Sequence, residues 1–296
     1  MPKKGMLLVF LTAVISGFSV FINKFGVDIT NPYVFTFLKN TVVALLLGGL
    51  ILALKDFGVL RRLKLKQWFA LILIGLMGGS IPFLLFFKGL SLTGAAQGSF
   101  IQKTMFIYVA ILAVIFLKEK ISKNFIIGSL FLLIGNILAL KSLKFSFGYG
   151  DLLVLAATLF WAVENIISKF VLRNLPSTTV AWGRMFFGSI FILGYLSLSG
   201  QTGTLSTLNF AQISWILITS VLLFGYVITW YSGLKHVPVS VATSVLLLGS
   251  PITTLLAALS AGKFEPKETI SGIIILCGLL TIISMHKISK KNHLIT

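Results

Sequence analysis

The chain has one cysteine, three histidines and seven acidic residues in 296 positions, and charged residues of either sign make up only 11% of it. Each scarcity excludes something. Cys277 stands alone inside an apolar run, so neither a disulfide framework nor a thiolate metal site can be built. His236, His286 and His293 lie in a loop or near the C-terminus, without the spacing of a metal site or of a base beside a nucleophile. Paired carboxylates and a Ser/His/Asp set are missing too, which argues against an enzyme. No phosphate-cradling loop is present, so ATP is not the expected driving force, and no metal or other cofactor is expected. A soluble domain carries about 25% charged residues. At 11% a soluble fold of this length could not cover its surface.

What fills the chain instead is apolar: 57% hydrophobic residues and a mean hydropathy of +1.02. Measured against the roughly 20 residues that cross a bilayer, the sequence predicts an all-α membrane protein with ten spans, at 6–26, 33–54, 68–88, 94–117, 123–141, 149–171, 178–199, 213–234, 240–261 and 268–286. Charges and turn residues separate them, as at Asn31-Pro32, Arg61-Arg62, Lys118-Glu119-Lys120 and Val237-Pro238. Lys3 and Lys4 before the apolar run 6–20 have the form of a signal peptide, but the same pattern recurs in mid-chain, so the segment is read as part of the fold.

The net charge of +18 comes from 25 basic residues. These sit mainly at span ends, a pattern for anionic membrane lipids rather than nucleic acid. Sixteen fall on one side of the expected topology and six on the other, with three inside spans. The positive-inside rule then puts both termini in the cytoplasm of a cell-membrane protein.

Displaced by 145 residues, the sequence aligns with itself: Asn23-Lys24-Phe25 on Ser168-Lys169-Phe170, and Phe37-Leu38-Lys39 on Trp182-Gly183-Arg184. With a one-residue slip, Phe87-Lys88-Gly89-Leu90 meets Tyr231-Ser232-Gly233-Leu234. This divides the chain into a unit at 1–146 and a second at 147–296, each of five spans. An odd number inverts the second copy, the arrangement of secondary transporters with a midplane site between the repeats.

These residues resemble the EamA type of the drug/metabolite transporter superfamily over the whole length. The resemblance rests on Lys24 and Lys169, on Lys39 and Arg184, and on Gly89-Leu90 through Ala96. It also rests on Gly233-Leu234 through Ser240 with Pro251 beyond, and on Phe116-Leu117-Lys118-Glu119-Lys120. The chain departs from the pattern at Phe106, near a common proline of the fourth span, at Lys39 in place of arginine, and at Glu265 in a diluted second glutamate motif. The resemblance implies a ten-helix basket with the fifth and tenth spans peripheral, moving small metabolites, amino acids or drugs, often outward.

An ionisable residue within a span costs about 2.5–3.5 kcal/mol on insertion scales, so it needs a partner or a task. Lys103, with Gln102 and Phe106 nearby, is read as a face that grips a substrate carboxylate or as half of an ion pair with Glu164. Glu164, beside Trp161 and Asn165, is read as that partner or as a proton-coupling carboxylate. Lys39 and Arg184, repeated at one depth, are read as structural. Gly78-Gly79-Ser80-Ile81-Pro82, Gly225 and Gly249-Ser250-Pro251 are expected hinges. Trp230 and Tyr226 are candidates for the substrate face, with an aromatic belt as the alternative for Trp230. The expectation is a transporter of a carboxylate-bearing solute, with a flippase for a lipid-linked sugar as the alternative and a homodimer left open.

Overall fold

The structure, a computed structural model, describes residues 3–27, 30–93, 95–138, 147–262 and 266–292. Every regular element in it is helical. This follows from the composition, because a helix satisfies its own backbone groups and so can sit in hydrocarbon. In chain order the helices are α1 (Lys3–Val27), α2 (Pro32–Ala53), α3 (Phe57–Arg61), α4 (Leu65–Gly79), α5 (Ile81–Leu92), α6 (Ala95–Lys103) and α7 (Met105–Leu117). They continue with α8 (Lys123–Leu138), α9 (Tyr149–Val171), α10 (Ser177–Leu198), α11 (Phe210–His236), α12 (Val239–Val245), α13 (Gly249–Ala261) and α14 (Pro266–Asn292). Nine stretches of the described chain are long and apolar enough to cross a membrane, making this a multi-pass membrane protein. The expected fifth span is represented by α8, 16 apolar residues long; residues 139–146 after it lie outside the described part.

Local chemistry sets the ends. Asn31 caps α2 by accepting from the amides of Tyr33 (3.0 Å) and Val34 (3.4 Å), and Pro32 occupies the first helical position, where its missing N–H costs nothing. Asn209 and Gln212 exchange side-chain and backbone bonds of 2.9 Å in a capping box that starts α11. Lys118 closes α7 in the left-handed conformation, at φ 57°.

Three long spans break, each for a readable reason. Pro82 cannot donate to Gly78, and the chain turns at Ser80 between α4 and α5. At Thr104 the hydroxyl donates to the Ile101 carbonyl (2.6 Å), competing with the backbone, and α6 gives way to α7. A 3-10 turn over Leu246–Leu248 separates α12 from α13, which carries Pro251 in its first turn. The hinge expected at Gly225 is a correction. Helix α11 runs through it without interruption, because a glycine keeps its N–H and the surrounding ladder stays intact.

α1 packs along α11, and α4 with α5 along α9. α2 lies on α10 and α11, α10 on α4, α6 and α7 on α9, α13 on α1, and α12 on α7. α8 and α14 pair with one another. Bare backbones meet where α4 crosses α10: a Cβ added at Gly188 would stand 2.8 Å from Gly79 Cα and O. Such small-residue contacts replace the hydrophobic drive that helices lack in lipid.

Replacing Gly188 by valine should therefore cost about 1–3 kcal/mol by overpacking, read as a lower Tm of the purified protein in detergent. Gly194→Ala, with nothing within 4 Å of the added carbon, should leave the Tm unchanged.

Candidate functional site

The breaks in the fourth and ninth spans meet. Lys103, the last residue of α6, donates from Nζ to Ser250 Oγ at the start of α13, at 2.5 Å. Gln102 is half-buried beside it. Just past the break, Met105 Sδ lies 3.9 Å from Asn165 Nδ2 on α9. Asn165 spends that amide on the Trp161 carbonyl as well (2.9 Å), while its buried Oδ1 has no partner. One turn earlier, Trp161 meets the rings of Phe83 and Phe86, both at 5.4 Å between centroids. An ammonium, a hydroxyl, an unpartnered buried amide oxygen and an aromatic wall thus adjoin one helix crossing. On the side of Glu119, α12 is packed on α7.

The ion pair weighed as the alternative reading of Lys103 and Glu164 does not form among the described residues. Lys103 reaches span nine instead. Glu164 faces α4 and α11, where it accepts from Tyr231 Oη (2.7 Å) and from Ser168 Oγ (2.6 Å). Its counter-charge is Arg184. Glu164 and Arg184 are 1% and 8% exposed, and both close on the same point: a Cβ added at Gly78 would lie 2.9 Å from Glu164 Cδ and 3.2 Å from Arg184 Nε. Only a glycine lets the backbone of α4 run between the two charges.

That backbone is itself part of the cluster. The Gly78 carbonyl, left without its helical donor by Pro82, accepts from Arg184 Nη2 and from Trp161 Nε1, each at 3.1 Å. The next carbonyl, of Gly79, accepts from Asn40 Nδ2 at 2.9 Å. Arg184 thus spends Nη2 on the break in the third span. Trp161 spends its only donor on the scaffold and has just its ring left for a solute.

The first half echoes this at a displacement of 145 residues. Lys39 Nζ donates to Asn23 Oδ1 (2.6 Å) and lies 4.9 Å from the centre of the Phe35 ring, and Asn23 donates to Ser19 Oγ (2.9 Å). Ser19, Asn23 and Lys39 correspond to Glu164, Ser168 and Arg184. The same positions hold a net positive set in one half and a compensated pair in the other. The side chain of Lys24 and residue Glu265 lie outside the described part.

Two aromatic expectations change. Trp230 is 2% exposed within the packed core, so it neither lines an opening nor forms a belt. Tyr226 is half-buried and stacks on it, with 6.4 Å between centroids. Asn40 and Thr104 were missed in the sequence, and Ser250 and Tyr231 were missed as the partners of Lys103 and Glu164. The carbonyl freed by Pro82 was a usable signal that donors such as Asn40 must converge there; nothing local marked those two pairings.

Arg184→Ala should lower the unfolding free energy by about 3–5 kcal/mol, because Glu164 is left buried without its counter-charge. Adding Glu164→Gln should restore part of the lost Tm. A double variant no more stable than the single one would contradict the charge-pair account.

The fold recurs elsewhere. The profile of the EamA-like transporter family matches residues 3–141 and 148–284. A Bacillus subtilis (strain 168) protein named uncharacterized transporter YyaM is 26% identical over 255 residues, covering 82% of each chain. An uncharacterized transporter of Archaeoglobus fulgidus is 24% identical over 297 residues, covering 97% of this chain and all of its own length. A solved crystal structure superposes with a TM-score of 0.81 at 17% identity, over 96% of this chain and 98% of that one, which speaks for the fold alone. With its profile matched across both halves, the chain belongs to the EamA-like transporter family, and is a multi-pass membrane transporter.

Proposed function

We propose that the protein is a secondary transporter of a small carboxylate-bearing solute, such as an amino or organic acid, working by alternating access across the cell membrane, with export as its direction. The observation that carries this reading is the bond from Lys103 to Ser250 where two broken spans cross. Among the described residues, Lys103 has no acidic partner, unlike Arg184 beside Glu164. Its ammonium has three donors, and the bond to Ser250 uses one of them. A carboxylate entering at the crossing would take up the rest, with the Asn165 amide and the Trp161 ring beside it.

The motion follows from the duplication. Each packing partnership recurs with the halves exchanged: α1 on α11 answers α4 and α5 on α9, and α13 on α1 answers α6 and α7 on α9. The pairs α2 with α10, α7 with α12, and α8 with α14 each join equivalent spans. The two family matches fall one on each side of the division near residue 147. This supports ten spans, α8 among them, as two inverted five-span repeats. The basic excess at the end holding Lys3, Arg61 and Lys169 supports cytoplasmic termini. Glu164, already accepting from Tyr231 and Ser168, is assigned to the scaffold; a proton remains a candidate coupling ion through other groups.

A thermal-shift screen of amino and organic acids tests this. A carboxylate that binds should raise the Tm of the wild type, and the shift should vanish in Lys103→Ala while the variant's own Tm stays within a few degrees. In liposomes the same variant should lose uptake of that acid. An equal ligand shift in Lys103→Ala would refute the assignment.

A further inference from the structure

The charges of the α7 end are not spent on the crossing. Lys118 turns the chain out of α7, and the Glu119 carboxylate then reaches into the other half of the protein. It accepts from the Val239 amide at Oε1 (2.7 Å), and from the Ser240 amide (3.2 Å) and hydroxyl (2.6 Å) at Oε2. Val239 and Ser240 open α12, the inner segment of the broken ninth span, all seven residues of which are buried. The adjoining turn is held from its other side. Lys169 Nζ donates to the carbonyls of Leu234 and Val237 (2.6 Å for the latter), at the C-terminal end of α11. An anion thus sits on the amides that begin one helix and a cation on the carbonyls that end the helix before it, each where the helix dipole favours it. Lys169 and α12 belong to the same half, whereas Glu119 comes from the other. The carboxylate is therefore the polar tie that crosses between halves at this mouth.

We propose that Glu119 is the latch of this mouth: its hydrogen bonds to Val239 and Ser240 hold α12 against α7 and keep the solute path shut on the side that the charge pattern makes cytoplasmic. The latch is formed in this structure, where α12 packs on α7. Opening requires the carboxylate to leave the α12 amides, which then need water in its place. The inference rests on the alternating-access reading above, and the test separates the two.

The test uses Cys277→Ser protein, which has no native thiol, carrying one reporter cysteine at a time. Ser244→Cys lies buried in α12 beneath the latch, and Gln97→Cys lies on α6 across the crossing. Labelling by a membrane-impermeant maleimide is followed in proteoliposomes of both orientations. Glu119→Ala removes all three hydrogen bonds and should label Ser244→Cys at least about tenfold faster, the population shift that losing even one charge-assisted hydrogen bond produces. Glu119→Gln, which keeps an acceptor without the charge, should fall between. Lys120→Gln, the adjacent exposed charge, should change nothing. Size-exclusion profile and Tm establish that each variant is folded. A labelling rate unchanged in folded Glu119→Ala, or raised equally by Lys120→Gln, overturns the latch. If Ser244→Cys labels faster while Gln97→Cys slows, latch and alternating access both stand. If Ser244→Cys labels faster and Gln97→Cys does not change, the latch stands and alternating access fails.

Discussion

A carbonyl without a helical donor, deep in a membrane, is the constraint from which most of this architecture follows. Hydrocarbon offers no hydrogen bonds, so a span can break only where protein supplies the missing partner. Pro82 creates that need at Gly78. The answer comes from the opposite half, as the guanidinium of Arg184 and the indole of Trp161. Arg184 then needs an anion, and Glu164 provides it across a glycine. Glu164 in turn draws the hydroxyls of Tyr231 and Ser168. One proline thereby links α4, α9, α10 and α11 into a single polar knot, and the halves are joined at their centre by bonds too costly to break singly.

Against that knot, the asymmetry of the charges acquires meaning. Lys39 is compensated by Asn23 and an aromatic face, Arg184 by Glu164, and Lys169 by helix-end carbonyls. Lys103 has a single hydroxyl. In a low-dielectric interior an under-compensated ammonium is an expensive thing to keep. Its place, where two interrupted helices cross, is where a solute can supply the missing charge at the moment of binding. Arg184 keeps a buried Nε without a partner, but it has a carbonyl to bond and a carboxylate near it; Lys103 is left for something that comes and goes.

Much of this was legible in residues alone. Apolar runs marked the spans, Gly78 through Pro82 marked a break, and Lys39 with Arg184 marked a shared structural depth. Two expectations failed for reasons of backbone chemistry. Gly225 does not break α11, since a glycine weakens a helix without removing a donor. Thr104 does break the fourth span, because its hydroxyl competes for a carbonyl, a signal weaker in sequence than a proline. The pairing of Lys103 with Glu164 failed differently. Two opposite charges in neighbouring spans invite pairing, but the turn at Thr104 leads Lys103 to α13, while Glu164 looks towards α4.

The sequence by itself determined what is set by periodicity and solvent: that the chain lives in a membrane, where its helices run, and that its cations crowd at the ends of its apolar runs. These are properties of single segments in contact with lipid or water, so they can be read segment by segment. Only the tertiary structure decided which buried charges neutralise one another, that Glu119 reaches the amides of α12, and that Ser250 is the partner of Lys103. Those choices join residues between 20 and 147 positions apart, and the distances depend on how broken helices cross. No local pattern in the chain encodes that crossing, because it is the sum of many small packing contacts, such as Gly79 on Gly188, each too weak to announce itself.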